Sequence, residues 1–271
     1  MSRFKFASRT AAMIVLSLLL FAVPAAAQTA QDHRANRIEP FRQPSRLGEH
    51  GPACTADRIW CAELVMGSPE GRLTLVIAPG EGLSSRSPTY VYVLPPDLLN
   101  GGSVSIWDRM VIEANGAVMV GLDLSKETRR SGFRSYQRRL LLVRAGPESG
   151  NFAVPVLEAP LSGHVELDAC SPSERTDDPN LCTNRFHLSS LFTLVPNLGV
   201  DRPDLVMVVT ASTSPGRRRR SDGPRTPVER VEGDITPDPA CTYTRSFYFS
   251  EALGRYVPDA PVPECPDFLE L

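Results

Sequence analysis

The residues best equipped for chemistry in this 271-residue chain are four histidines, six cysteines and one run of arginines. His33 and His50 lie in a polar N-terminal stretch. His164 and His187 flank the segment "ACSPSERTDDPNLCTNRF" and come face to face if the strands on either side of it pair. An imidazole pair can act as acid–base or metal chemistry only with a third, positioned partner, and Glu158, Glu166 and Asp168 are the candidates nearby. Asp177, Asp178 and Asn180 offer oxygen ligands, but without the spacing and glycine of a calcium loop they read as a turn. Asp201 and Asp204, in "GVDRPDLVMVV", read the same way. After the first 27 residues the chain has no G-x-S-x-G, H-E-x-x-H, S-x-x-K, Walker or G-x-G-x-x-G motif, so no such catalytic signature is present there.

The cysteines are Cys54, Cys61, Cys170, Cys182, Cys241 and Cys265. No C-x-x-C occurs and no histidine stands at ligand spacing from any of them. A metal site is therefore not expected, and no cofactor is implied. An even count in an exported chain reads as disulfides. Sequence neighbours are expected to pair, Cys54–Cys61, Cys170–Cys182 and Cys241–Cys265, because each pair brackets a turn-rich segment; the polar Cys170–Cys182 loop in particular has little apolar surface to hold it down.

Export is read from the N-terminus. Arg3, Lys5 and Arg9 precede an apolar run from Ala11 to Val23, and Ala25-Ala26-Ala27 follows. That order is a signal peptide over residues 1–27, with an apolar run shorter than the roughly 20 residues of a membrane span. No later run approaches that length, so no transmembrane segment remains after cleavage. The mature product is expected in the periplasm or outside the cell. Residues 28–53 are polar and punctuated by proline and glycine, and read as a disordered arm. Residues 54–271 read as a single β-rich domain.

The most unusual stretch is "TSPGRRRRSDGPRTP". Arg217, Arg218, Arg219 and Arg220 are consecutive between glycine and proline, so the region 214–227 is expected to be a flexible, solvated loop. Guanidinium groups suit phosphate and carboxylate, which makes these four arginines the candidate binding residues. The net charge of −2 and the lack of aromatics among the arginines argue against nucleic acid.

The elements that must carry these residues are strands. "CAELVMGSPEGRLTLVIAP", "TYVYVLPP", "FRSYQRRLLLVRAG", "HVELDAC", "RFHLSSLFTLV", "PDLVMVVTAST" and "CTYTRSFYFSEALGRYVPDA" are short β-favouring runs separated by turn residues. "RMVIEANGAVMVGLDL" holds Asn115-Gly116 between arms that are apolar on both faces, which predicts a type I′ hairpin buried between layers. A helix over Tyr136–Val143 is the competing local reading. The fold class is all-β: an antiparallel, disulfide-stapled sandwich or barrel-like domain, with a small or irregular propeller as the alternative.

Through "RPDLVMVVTAS", the cysteine-flanked hairpin and the tail "RYVPDAPVPEC", the chain resembles uncharacterised secreted or periplasmic proteins of Gram-negative bacteria. That resemblance implies no activity and no site residue. Two functions remain open. One is a non-enzymatic binding protein of the cell envelope, docking an anionic envelope component or another envelope protein. The other is a secreted hydrolase with a dispersed site that uses His164 or His187 with nearby carboxylates.

Overall fold

A computed structural model describes residues 30–32, 34–42, 52–66, 72–80, 89–99, 101–168, 183–195, 202–214 and 235–269. The described strands are β1 (Ala30–Gln31), β2 (Arg37–Pro40), β3 (Ala53–Cys54), β4 (Trp60–Met66), β5 (Leu73–Pro79), β6 (Tyr90–Val93), β7 (Gly102–Ile112) and β8 (Val118–Arg130). They continue with β9 (Phe133–Ala145), β10 (Val154–Asp168), β11 (Thr183–Val195), β12 (Asp204–Ser214), β13 (Thr236–Pro237), β14 (Tyr243–Ser250) and β15 (Arg255–Pro258). Two single 3-10 turns are the only helical pieces among the described residues. The region 136–143 is strand, not helix.

The strands form an eleven-stranded sheet in the order β1-β2-β7-β8-β9-β10-β11-β12-β14-β15, with β13 on β12, and a four-stranded sheet, β3-β4-β5-β6. Every pairing between these strands is antiparallel and most run between successive strands; the isolated bridge Val91↔Phe152 is parallel. Among the described residues the large sheet does not close into a barrel and no separate blades form. The architecture is a sandwich-like all-β domain.

Two cores explain the layering. One gathers Val104, Ile106, Met110, Ile112, Val118, Val120, Leu122, Leu141 and Val143 against Leu73, Leu75, Ile77 and Tyr90 of the small sheet. The other gathers Val111, Met119, Leu140, Leu142 and Ala159 with Phe192, Leu205, Met207, Phe247 and Tyr256. Strands β7–β9 contribute to both. This is why "MVI" and "VMV" are apolar on both faces: the hairpin is the middle layer.

The turn of that hairpin differs from expectation. Gly116 has φ 86°, but Asn115 is not among the residues with positive φ. The Gly116 N–H donates to Glu113 O at 3.0 Å and Glu113 N–H to Ala117 O at 2.8 Å. This is a three-residue loop closed by a left-handed glycine, not a two-residue type I′ turn. The Asn115 side chain accepts the Ala117 N–H at 2.9 Å and so holds an ordinary backbone conformation.

Of the polar stretch 28–53, residues 30–32, 34–42 and 52–53 are described. It supplies β1 and β2, and β2 pairs with β7. Ile38 and Phe41 are buried. Buried Asn36 donates to Asp32 Oδ2 at 2.7 Å and accepts the Ala114 N–H at 2.8 Å. The polarity of this segment thus satisfies a neighbouring turn, which is a packed role for residues that composition alone assigns to solvent.

Cys54 bonds to Cys61 across directly opposed positions of β3 and β4. Cys241 bonds to Cys265, tying the start of β14 to the C-terminal segment. The Cys170–Cys182 pairing lies outside the described residues.

Candidate functional site

Register brings the chemistry-bearing side chains together. On one face of the large sheet, Glu127, Tyr136, His164, His187 and Ser212 stand opposite one another in a single row across β8 to β12. Two residues further along each strand the row is Arg129, Arg134, Glu166, Arg185 and Ser214. Two residues the other way it is Ser125, Arg138, Ser162, Ser189 and Thr210. Alternation with period two gives all three rows the same face.

His164 and His187, directly opposed, lie with Nδ1 atoms 3.1 Å apart and ring centroids 4.4 Å apart. At that distance one Nδ1 donates and the other accepts. His164 Nε2 faces Glu166 Oε1 at 3.3 Å, and the same oxygen lies 3.4 Å from Arg185 Nε. Glu166 therefore favours the Nε2–H form of His164, which leaves its Nδ1 as the acceptor of the pair. Burial, the neighbouring His164 and Arg185 together hold the His187 imidazole below its ordinary value, while Glu166 acts in the opposite direction. Beside the pair opens a pocket of about 500 Å³ that Ser162, Ser189, Thr210 and Ser212 help to line. The Ser189 and Thr210 hydroxyls are hydrogen-bonded to each other at 3.0 Å.

A second concavity adjoins it. The β10–β11 ladder stops at Ser162↔Ser189, and beyond that point the two strands part. A trough of about 440 Å³ sits at the fork, lined by Ser105, Trp107, Asp108, Arg109, Asp123, Arg138 and residues 161–162 and 189–192. A bulge at Leu161, where β10 slips against β9, starts the parting. Asp123 is buried and receives Arg138 through both Nε and Nη2. Ser190 belongs to the lining; its Oγ is buried beneath the surface and has no hydrogen-bond partner among the described residues.

The same face continues outward to the β8–β9 hairpin tip. There Arg129 and Arg134 are exposed beside Glu127, which lies 2.8 Å from Arg129 and 3.0 Å from Arg134, while the exposed Lys126 and Arg130 of the same tip alternate to the other face. Hydrogen bonds to those two guanidinium groups hold the Glu127 carboxyl below the usual range.

Of the sequence candidates, His164, His187 and Glu166 are brought together. Glu158 is engaged elsewhere, with Arg139 at 2.6 Å, and Asp168 stands opposite Thr183 at the end of the ladder. Arg217–Arg220, His33, His50 and the Asp177–Asn180 segment lie outside the described residues. The trough was not foreseen. Its residues come from five strands, β7 to β11, and no local spacing connects Asp123 to Arg138 or to Ser190. Among the described residues, no group of three or more His, Cys, Asp or Glu is arranged to hold a metal. No family model, curated protein or solved structure matches the chain.

Proposed function

We propose that this chain is an exported, non-enzymatic binding protein of the cell envelope whose ligand is an anionic, hydroxyl-rich envelope component, of the acidic glycan class. The observation that carries the reading is the polar trough at the β10–β11 fork. Its paired carboxylate and guanidinium groups and its serines present donors and acceptors side by side, which suits a polyhydroxylated ligand. The cationic hairpin tip on the same face supplies attraction for negative charge. Arg217–Arg220 would add to it.

The test is retention of the full chain on an immobilised acidic polysaccharide and, separately, on phosphatidylglycerol vesicles. Retention on the polysaccharide should fall severalfold in Arg129→Ser/Arg134→Ser and in a variant with all four loop arginines changed to serine. It should also weaken as salt shortens the screening length from about 30 Å at 0.01 M to about 8 Å at 0.15 M. Retention unchanged in both variants removes the reading. Retention on vesicles alone replaces the glycan with a lipid headgroup.

A second reading, hydrolysis, is favoured by the chain Glu166–His164–His187 beside a pocket that holds hydroxyls. A nucleophilic site needs an imidazole bonded to the attacking hydroxyl. Here the imidazoles bond each other and Glu166, and Ser189 bonds Thr210. Turnover of model esters or glycosides that disappears in His187→Asn would establish the hydrolase, and no turnover in the wild type dismisses it.

A further inference from the structure

We infer that His164 and His187 form a two-histidine site for a divalent transition-metal ion of the borderline class, Zn²⁺ or Cu²⁺, with the remaining coordination positions taken by water. The inference is independent of glycan binding at the fork.

The geometry comes from register. The two residues are directly opposed on neighbouring antiparallel strands, so their Cβ atoms are held at about 4.5–5.5 Å by the backbone ladder. The site is thus built on rigid elements. The Nδ1 atoms stand 3.1 Å apart. With metal–nitrogen distances of about 2.0–2.1 Å, an ion bridging them subtends about 100° at the metal, between the square-planar and tetrahedral angles. Imidazole is the ligand type these ions favour over Mg²⁺ or Ca²⁺.

The surroundings complete the arrangement. Glu166 sits on the other nitrogen of His164, at 3.3 Å. A carboxylate in that position fixes the Nε2–H form, points the Nδ1 lone pair at the metal and raises ligand basicity. Glu166 also lies 3.4 Å from Arg185 Nε, the guanidinium next to His187 along β11, and partly offsets its charge. Along the row the neighbours are Tyr136 and Ser212, neither of them cationic. Binding requires His187 to carry its proton on Nε2 in place of Nδ1, a change of tautomer with no net proton released. The adjoining pocket, with Ser189, Thr210 and Ser212, gives room and hydrogen-bond partners for two water ligands. The sequence pointed away from metal because it offered cysteines without ligand spacing; the two histidines are 23 residues apart, and only strand pairing joins them.

The experiment uses untagged full-length chain with intact disulfides. Calorimetric titration with Zn²⁺ should show one equivalent bound. His164→Asn and His187→Asn should each abolish that equivalent, while His33 and His50 remain in every variant. Glu166→Gln should keep the stoichiometry and weaken affinity by about tenfold or more. Electron paramagnetic resonance of the Cu²⁺ form should show coupling to two nitrogens in the wild type and not in either histidine variant. Far-UV circular dichroism establishes that each variant is folded. Wild-type chain that takes up no Zn²⁺, or one equivalent that survives in the folded His164→Asn/His187→Asn variant, overturns the assignment.

Discussion

Arg144 and Glu113 show how much one side-chain pair can matter. Both are almost wholly buried, and the guanidinium donates to both Glu113 oxygens, at 2.5 and 2.7 Å. The pair ties the β7–β8 turn to β9. Burial opposes the charge on Arg144, but hydrogen bonds to Glu113 and Glu148 outweigh it and raise its affinity for the proton. Removing one partner strands the other as an uncompensated buried charge. Arg144→Ala should therefore cost about 3–5 kcal/mol, read by urea unfolding; a loss below 1 kcal/mol would contradict this account. Glu148 supplies a pH dependence. Burial pushes its carboxyl up, yet a backbone hydrogen bond together with Arg144 and Arg202 brings it below the ordinary value of 4.5. A carboxyl whose folded pKa is depressed contributes stability above its unfolded value and loses it as pH falls through the folded one. Stability should hold from neutral pH down to about 4.5 and then decline. Glu148→Gln should be less stable than wild type at pH 7 and should approach it at pH 3.

At the scale of elements, strand identity followed from local chemistry. Alternation in "HVELDAC" and β-branched, aromatic runs such as "TYVYV" stand for strands in any context. The hairpin between Ile112 and Val118 was also expected, whereas its loop type was not. Asn-Gly permits two geometries, and the choice fell to the Asn115 side chain bonding Ala117. Asp32 and Asn36 look like solvent-facing residues until the Ala114 N–H that Asn36 accepts is in place. Gly163 shows the reverse: nothing local marks it, but a Cβ there would stand 2.2 Å from the carbonyl oxygen of Phe268. Phe268 is buried and meets Phe186 edge-on at 5.7 Å. Gly163→Ala must push the C-terminal segment off the sheet. We expect a loss of about 1–3 kcal/mol and faster amide exchange over 262–269. Unchanged exchange there would show that the segment moves without cost.

For the whole molecule, the shared middle layer is the main consequence. Strands β7–β9 carry side chains of both cores, so neither core can be lost while the other persists. The two tryptophans report on them separately. Trp107 belongs to one core and Trp60 packs on the other. Denaturant unfolding followed through Trp60 alone, in Trp107→Phe, should be a single transition, as should unfolding followed through Trp107 alone, in Trp60→Phe. Fluorescence and circular dichroism should coincide in each variant. Separate transitions for the two sheets would mean that the layers are independent. What the amino-acid order pointed to unaided was most of the strands after residue 60, the expectation that neighbouring cysteines pair, and the doubly apolar hairpin, because each depends on residues close in the chain. What awaited the tertiary structure was the site. Asp123 meets Arg138 and His164 meets His187 through register, which is set by ladders and one bulge over distances that no local pattern encodes. The trough, in turn, exists only because two long strands pair for seven residues and then part.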